Sequence, residues 1–199
     1  MKAENRRLAE AALETWGVRL EERQWTLLDN YLRDVLEYNR KVNLTAARDE
    51  GEVVRRHFLD ALAGLAPLKE KLDPAPRLAD IGAGGGFVGI CLKIAWPEAD
   101  VTLIESAGRK FKFLSWACAR LGVVGLHVLQ ERAGTQRGFD AVLARAVAPL
   151  PELAKLALPM GRWLAAWQSE LPGGKVAESR AYRLPGEEKD RYIVFLEGA

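Results

Sequence analysis

The segment 78–90, LADIGAGGGFVGI, holds the residues best suited to chemistry in this chain. An apolar run reaches Asp80, four of the five positions 82–86 are glycine, and a helix is expected to begin at Phe87. Strand, glycine loop and helix N-terminus in that order are the setting in which backbone closes around a nucleotide. Glycine helps because no side chain occupies the ligand's space and because positive φ is tolerated where the loop turns. Read from Gly84, GGGFVG satisfies GxGxxG, in which a pyrophosphate rests on the helix N-terminus, and this reading makes an NAD-dependent oxidoreductase. Read from Asp80, the form is D-x-G-x-G-x-G. A carboxylate near the mouth of the loop repels a pyrophosphate but attracts the sulfonium and ammonium groups of S-adenosylmethionine, so charge favours the methyl donor as cofactor. Cofactor contacts are therefore expected at Asp80, Gly82, Gly84, Gly86 and Phe87.

Three further sites follow. Glu105 ends the next apolar run, roughly 20 residues beyond the glycines, where a carboxylate can accept hydrogen bonds from ribose hydroxyls in either cofactor class. Arg109, Lys110 and Lys112 cluster at the start of a helix, where cations oppose the helix dipole, and binding RNA phosphate is one reason for placing them there. Arg145 emerges at the carboxyl end of a strand, the edge at which open α/β sheets bind ligands, and a guanidinium there can grip a phosphate or a base carbonyl. His57, within RRHFLD, reads as a helix-face or core residue rather than a catalyst. Cys91 and Cys118 form no CxxC pair, and His57 and His127 fit no zinc spacing, so buried thiols and no metal are expected.

These residues need elements to hold them. Trp25, Leu28, Leu32 and Val35 recur on one helical face, and Val54, Phe58, Leu62 and Leu65 repeat the pattern, so residues 1–72 are expected to be helical. Pro74 and Pro76 break the helices. Beyond them, strands are expected at 77–81, 101–105, 126–130, 139–144 and 162–167, with helices near 87–95, 107–121 and 150–158. Alternation of this kind means βαβ units and a parallel sheet covered on both faces. Turn signals at 172–174 and 185–186 and the apolar run 192–196 predict a closing antiparallel hairpin, which completes a unit spanning 73–199.

The whole chain has 199 residues, 49% of them hydrophobic, with 29 Lys and Arg against 27 Asp and Glu. That composition excludes a mostly disordered chain, and the balance of +2 leaves any polyanion site to local clustering. No stretch approaches the roughly 20 apolar residues of a membrane span, and the first ten residues lack the apolar core of a secretory signal, so a cytoplasmic protein is expected.

Longer strings carry a resemblance. YNRKVNLTAARD (38–49), RHFLDAL (56–62), LADIGAGGGFVGICL (78–92), LIESAGRKFKFL (103–114), LARAV (143–147) and YRLPGEEKDRYIVFL (182–196) resemble, in order and spacing, the glucose-inhibited division protein B family of 16S ribosomal RNA (guanine-N7) methyltransferases. The resemblance implies a Rossmann-like methyltransferase sheet, mostly parallel with one antiparallel strand near the C-terminus and an N-terminal helical extension. It implies S-adenosylmethionine as cofactor and methyl transfer to guanine nitrogen 7, with ribosomal RNA or the small subunit as partner and a monomeric enzyme. Residue by residue it implies cofactor contact at Gly82 and Phe87, backbone contact to adenine at Ala133 and Gly134, and a catalytic role beside the cofactor for Arg145. The chain departs from the family pattern at three places: Gly134 stands where glutamate is usual, Val88 where proline is common, and Ala165-Ala166-Trp167-Gln168 where the strand usually ends in lysine and glycine. Those departures leave a second reading open, a cofactor-binding, RNA-binding protein with impaired catalysis.

Overall fold

A computed structural model describes residues 1–171 and 178–198. Its centre is a seven-stranded sheet in the order β3-β2-β1-β4-β5-β7-β6. The strands are β1 (Arg77–Ile81), β2 (Asp100–Ile104), β3 (Leu126–Leu129), β4 (Phe139–Arg145), β5 (Gly161–Gln168), β6 (Glu178–Tyr182) and β7 (Arg191–Glu197). β1 to β5 pair in parallel, while β7 pairs antiparallel with both β5 and β6 and so alone runs against the rest. The expected sheet is present, with strand ends displaced by one residue at several termini. The turn signal at 185–186 is a turn in fact, closed by the Glu187 amide donating to the Leu184 carbonyl with Gly186 at φ +79°. The signal at 172–174 lies outside the described residues.

Strand β1 lies between β2 and β4, so the chain leaves it to one side through α6 (Phe87–Ala95) and reaches the other side only later. That reversal opens a crevice at the carboxyl ends of β1 and β4, the place where open α/β sheets bind ligands. Leu78, Ala79 and Ile81 are all buried because helices cover both faces of β1. Every residue of α6 is buried, the mark of a helix enclosed on all sides: the sheet packs below it and the N-terminal helices above. The helix approaches the sheet so closely that a Cβ on Gly89 would stand 2.3 Å from a Leu103 methyl. α7 (Gly108–Leu121) lies on the same face, and α8 (Leu150–Ala157) covers the opposite one with Leu153 and Ala157.

The N-terminal region comprises α1 (Ala3–Thr15), α2 (Glu22–Asn39), α3 (Glu50–Val53), a π-helical stretch (Val54–Leu59), α4 (Asp60–Leu62) and α5 (Leu65–Lys71). Trp25, Leu28, Leu32 and Val35 form the buried stripe of α2 as their spacing requires. The stripe Val54, Phe58, Leu62 was expected in an ordinary α-helix, but a π-helical turn occupies the middle of it. Such turns are frequent at functional sites. Here Phe58 and Leu59 are buried in the core while His57 and Asp60 border the crevice.

Candidate functional site

A cavity of about 590 Å³ opens at the carboxyl ends of β1, β4 and β5. One wall is the loop after β1. Gly82, Gly84 and Gly86 all hold positive φ, at +60°, +61° and +79°. The loop is pinned from behind: the Gly84 amide donates to Glu105 Oε2 at 2.9 Å, the Ala83 amide to the Ile104 carbonyl at 3.2 Å, and the buried Tyr31 hydroxyl to the Gly85 carbonyl. A Cβ on Gly84 would meet nothing nearer than the Gly82 carbonyl at 3.7 Å, so that position faces open space.

The residues expected at the cofactor and RNA sites separate into two groups. Asp80, Gly82, Gly84 and Phe87 line the cavity together with Arg145 and Lys110. Gly86, Glu105, Ala133, Gly134, Arg109 and Lys112 do not. Gly86 answers a packing requirement instead, since a Cβ there would stand 2.6 Å from Ile90 and 2.7 Å from Leu114. Both Glu105 oxygens accept backbone amides, from Gly84 and, at 2.7 Å, from Ala107. Ala133 and Gly134 follow β3, where Ala133 packs against the core beneath α8 and Gly134 takes φ +125°. Arg109 and Lys112 are exposed on the first turn and a half of α7.

Asp80 sits deeper than its place in the sequence suggests. It is not at the mouth of the loop but on the cavity floor, 2% exposed, with Oδ2 accepting the Gly89 amide at 2.8 Å. Gly89 makes that approach possible, because a Cβ there would crowd Asp80 at 3.0 Å. Burial pushes its carboxyl up to about 7, only partly offset by the Gly89 hydrogen bond and the Arg145 charge.

The opposite wall is built around Asp60, 2% exposed. Its Oδ2 accepts Arg145 at 2.9 Å, and its Oδ1 accepts the Tyr182 hydroxyl at 2.6 Å and Arg191 at 3.5 Å. Its main-chain carbonyl accepts the Trp167 indole at 2.7 Å. Asp60, at the start of α4 just after the π-helical turn, thus ties that segment to β4, β6 and β7 through its carboxylate and to β5 through its main-chain carbonyl. Arg145 also reaches His57 Nδ1 at 3.2 Å and lies 5.6 Å from the centre of the Phe87 ring. His57 stacks on Phe87, centroids 4.2 Å apart and planes 12° from parallel, and its Nε2 meets Thr45 Oγ1. Asn39 holds the Thr45 loop in place, its amide oxygen accepting Leu44 and Thr45 amides and its nitrogen donating to the Thr45 carbonyl.

Burial and the nearby Arg145 push the His57 imidazole down to about 3, so it is neutral near pH 7. Its folded pKa lies below the unfolded value of about 6.5, so unfolding takes up a proton between those limits, and this residue's contribution to stability falls as pH drops from about 6.5 towards 3. The expected NMR result is that the His57 ring carbons do not shift between pH 8 and 5. A titration midpoint above pH 5.5 would overturn the described environment.

Sequence reasoning left Asp60, His57, Thr45, Tyr182 and Arg191 without a role in the site. The only available signal was their membership of the strings that resemble a known family. Among the described residues no group of three or more His, Cys, Asp or Glu side chains could hold a metal ion, and no helix is long and apolar enough to cross a membrane. Cys91 is buried and Cys118 half-buried, and burial raises both thiols, Cys118 to about 12.

The family model for rRNA small subunit methyltransferase G matches residues 24–169. The Ribosomal RNA small subunit methyltransferase G of Rubrobacter xylanophilus is 38% identical over 212 residues, covering 93% of this chain and 80% of its own length. This chain belongs to that family. A relative of the same name from Chloroflexus aggregans is 35% identical, covering 99% of this chain and 92% of its own. Among solved structures, the magnesium protoporphyrin IX methyltransferase of Synechocystis superposes with a TM-score of 0.60 at 11% identity, covering 85% of this chain and all of that one. TrmN from Thermus thermophilus superposes at 0.54 and 18% identity, covering 73% and 53%. Those two likenesses concern the fold.

Against the family pattern, Trp167 now has a structural account. Its ring fills the space above Gly64, where a Cβ would stand 2.4 Å from it, and its indole caps Asp60. Cations still border the cavity from elsewhere, at Arg56 and Arg191.

Proposed function

We propose that this chain transfers a methyl group from S-adenosylmethionine to nitrogen 7 of a guanine in 16S ribosomal RNA. The observation that carries the reading is the cavity itself, with a backbone cradle of positive-φ glycines on one side, a buried carboxylate at the floor and a braced guanidinium opposite. The cradle fits the cofactor because Gly82 and Gly84 keep side chains out of it. Asp80 fits because a carboxylate at the floor favours a cation and opposes a pyrophosphate, which tells against the dinucleotide reading. Glu105, Ala133 and Gly134 follow β2 and β3, the next strands along the same edge, and are assigned to the adenosine half. Gly86 is assigned to packing.

S-adenosylmethionine, when bound, supplies an electrophilic methyl on a sulfonium. Nitrogen 7 of neutral guanine already has an available lone pair, so no residue need remove a proton, and placement of the reactants is the enzyme's task. Phe87 and His57, stacked at the cavity wall, exclude water. Arg145 is held by Asp60 and by His57 so that its guanidinium stays at the crevice without rotamer freedom. Lys110 at the rim, with Arg109 and Lys112 beside it, is assigned to RNA phosphate. Residues 1–72 form a helical region packed on a methyltransferase domain, 73–199, and the chain acts as a monomer in the cytoplasm, where its ribosomal substrate resides.

The test is incubation of the full chain with labelled S-adenosylmethionine and undermethylated small subunits, with naked 16S RNA in parallel, followed by mapping of the modified base. Label on one guanine is expected. Cofactor binding without any incorporation would leave an RNA-binding protein of the same fold. Arg145→Ala is expected to lose roughly 100-fold or more in kcat with cofactor affinity unchanged, the scale on which removing one positioned charge acts. Wild-type turnover in that variant would remove Arg145 from the site.

A further inference from the structure

Arg145, His57 and Thr45 form a hydrogen-bond chain whose direction is fixed by its first member. A guanidinium can only donate. His57 Nδ1, 3.2 Å from Arg145, must therefore accept, which places the imidazole proton on Nε2. Nε2 faces Thr45 Oγ1 and donates to it. The Ala47 amide donates to the same Thr45 oxygen at 3.0 Å. Both lone pairs of that oxygen are thereby used, and its own hydrogen has no acceptor among the described residues. Thr45 borders the cavity together with Arg145 and His57.

We infer that the Thr45 hydroxyl is a committed hydrogen-bond donor to the target base and distinguishes guanine from adenine. The inference rests on the methyltransferase reading above. On the edge beside nitrogen 7, guanine presents O6, an acceptor, and adenine presents an amino group, a donor. A hydroxyl free to rotate and accept would tolerate both. One whose lone pairs are already occupied accepts from neither and can satisfy only O6. A site arranged in this way rejects the wrong base because two donors are forced to face each other.

The experiment uses small subunits assembled with 16S RNA carrying guanine, inosine or adenine at the mapped position. Inosine keeps O6 and lacks the exocyclic amine. Methyl incorporation is measured for wild type, Thr45→Val and Thr45→Ser, with cofactor affinity by calorimetry and melting temperature as controls. Wild type is expected to methylate guanine and inosine alike and adenine at least about tenfold more slowly, the worth of one hydrogen bond. Thr45→Val is expected to slow guanine and inosine about tenfold, to bring the guanine-to-adenine ratio close to one and to keep cofactor affinity, while Thr45→Ser restores both rate and ratio. A purely structural role would lower the melting temperature without changing the ratio. An unchanged ratio in Thr45→Val overturns the inference and leaves the methyltransferase reading intact. Absence of methylation of guanine by wild type overturns both.

Discussion

Gly82→Asp is expected to abolish S-adenosylmethionine binding, a loss of more than about 100-fold in affinity or about 3 kcal/mol, since the new side chain fills space that the cofactor must occupy. Two features of the position drive this. Its φ of +60° strains any residue with a Cβ, at a cost of about 1–2 kcal/mol. A Cβ would also stand 3.1 Å from a methyl of Val147, so the new carboxylate must turn into the cavity. It would join Asp80 there, and two carboxylates in one small space raise each other's proton affinity. The loop is anchored through Gly84, Ala83 and Gly85, none of which is changed, so the variant is expected to fold. Calorimetry with the cofactor is the measurement. Unchanged affinity would place the cofactor elsewhere and remove the cradle from the account.

Asp60→Ala is expected to cost about 3–5 kcal/mol of folding stability, the usual result of deleting one partner of a buried ion pair. The loss exceeds that of an average core truncation because three donors share this carboxylate. The Arg145 guanidinium, the Tyr182 hydroxyl and Arg191 would each lose their acceptor, and Tyr182 is itself buried. Arg191 retains Glu187, at 2.8 and 3.0 Å, so the stranded groups are chiefly Arg145 and Tyr182. Asp60→Asn keeps an oxygen acceptor for one donor and is expected to lose markedly less stability, and methyl transfer is expected to fall most in Asp60→Ala, where Arg145 is no longer held, and less in Asp60→Asn. Denaturant unfolding of the two variants checks the order. Equal stability of Asp60→Ala and wild type would mean that the buried ion pair is replaced by water at no cost.

The parallel sheet was readable because largely apolar runs such as 101–104 and 141–144 alternate with helical stretches at βαβ spacing, and the loop because no ordinary turn needs glycine at 82, 84, 85 and 86. Arg145 was readable from its place at a strand end. Asp60 was not. It stands in a helical pattern where a carboxylate usually faces water, and its partners lie 85, 122 and 131 positions away. No local periodicity encodes a contact at such separation. His57 was assigned to a helix face for the same reason, since the π-helical turn that brings it to the cavity leaves no mark on the spacing of Val54, Phe58 and Leu62. Asp80 was identified by type but misjudged in depth, because its distance from the cavity mouth depends on how closely α6 packs at Gly89, a property of two elements together. The tail was legible as a hairpin, whereas the insertion of β7 between β5 and β6 follows from pairing across the sheet.

That insertion bears on how the molecule is made. β7 follows β6 in the chain yet separates it from β5, so during synthesis β6 emerges with no finished neighbour to join. Arg191, at the first position of β7, and Tyr182, at the last of β6, are also the late-arriving members of the wall that steadies Arg145. A nascent chain halted before residue 191 therefore has its glycine loop but not its completed pocket. The pocket wall is thus closed last, by the strand that also locks the sheet edge, and the two are completed in one step when β7 slots between β5 and β6.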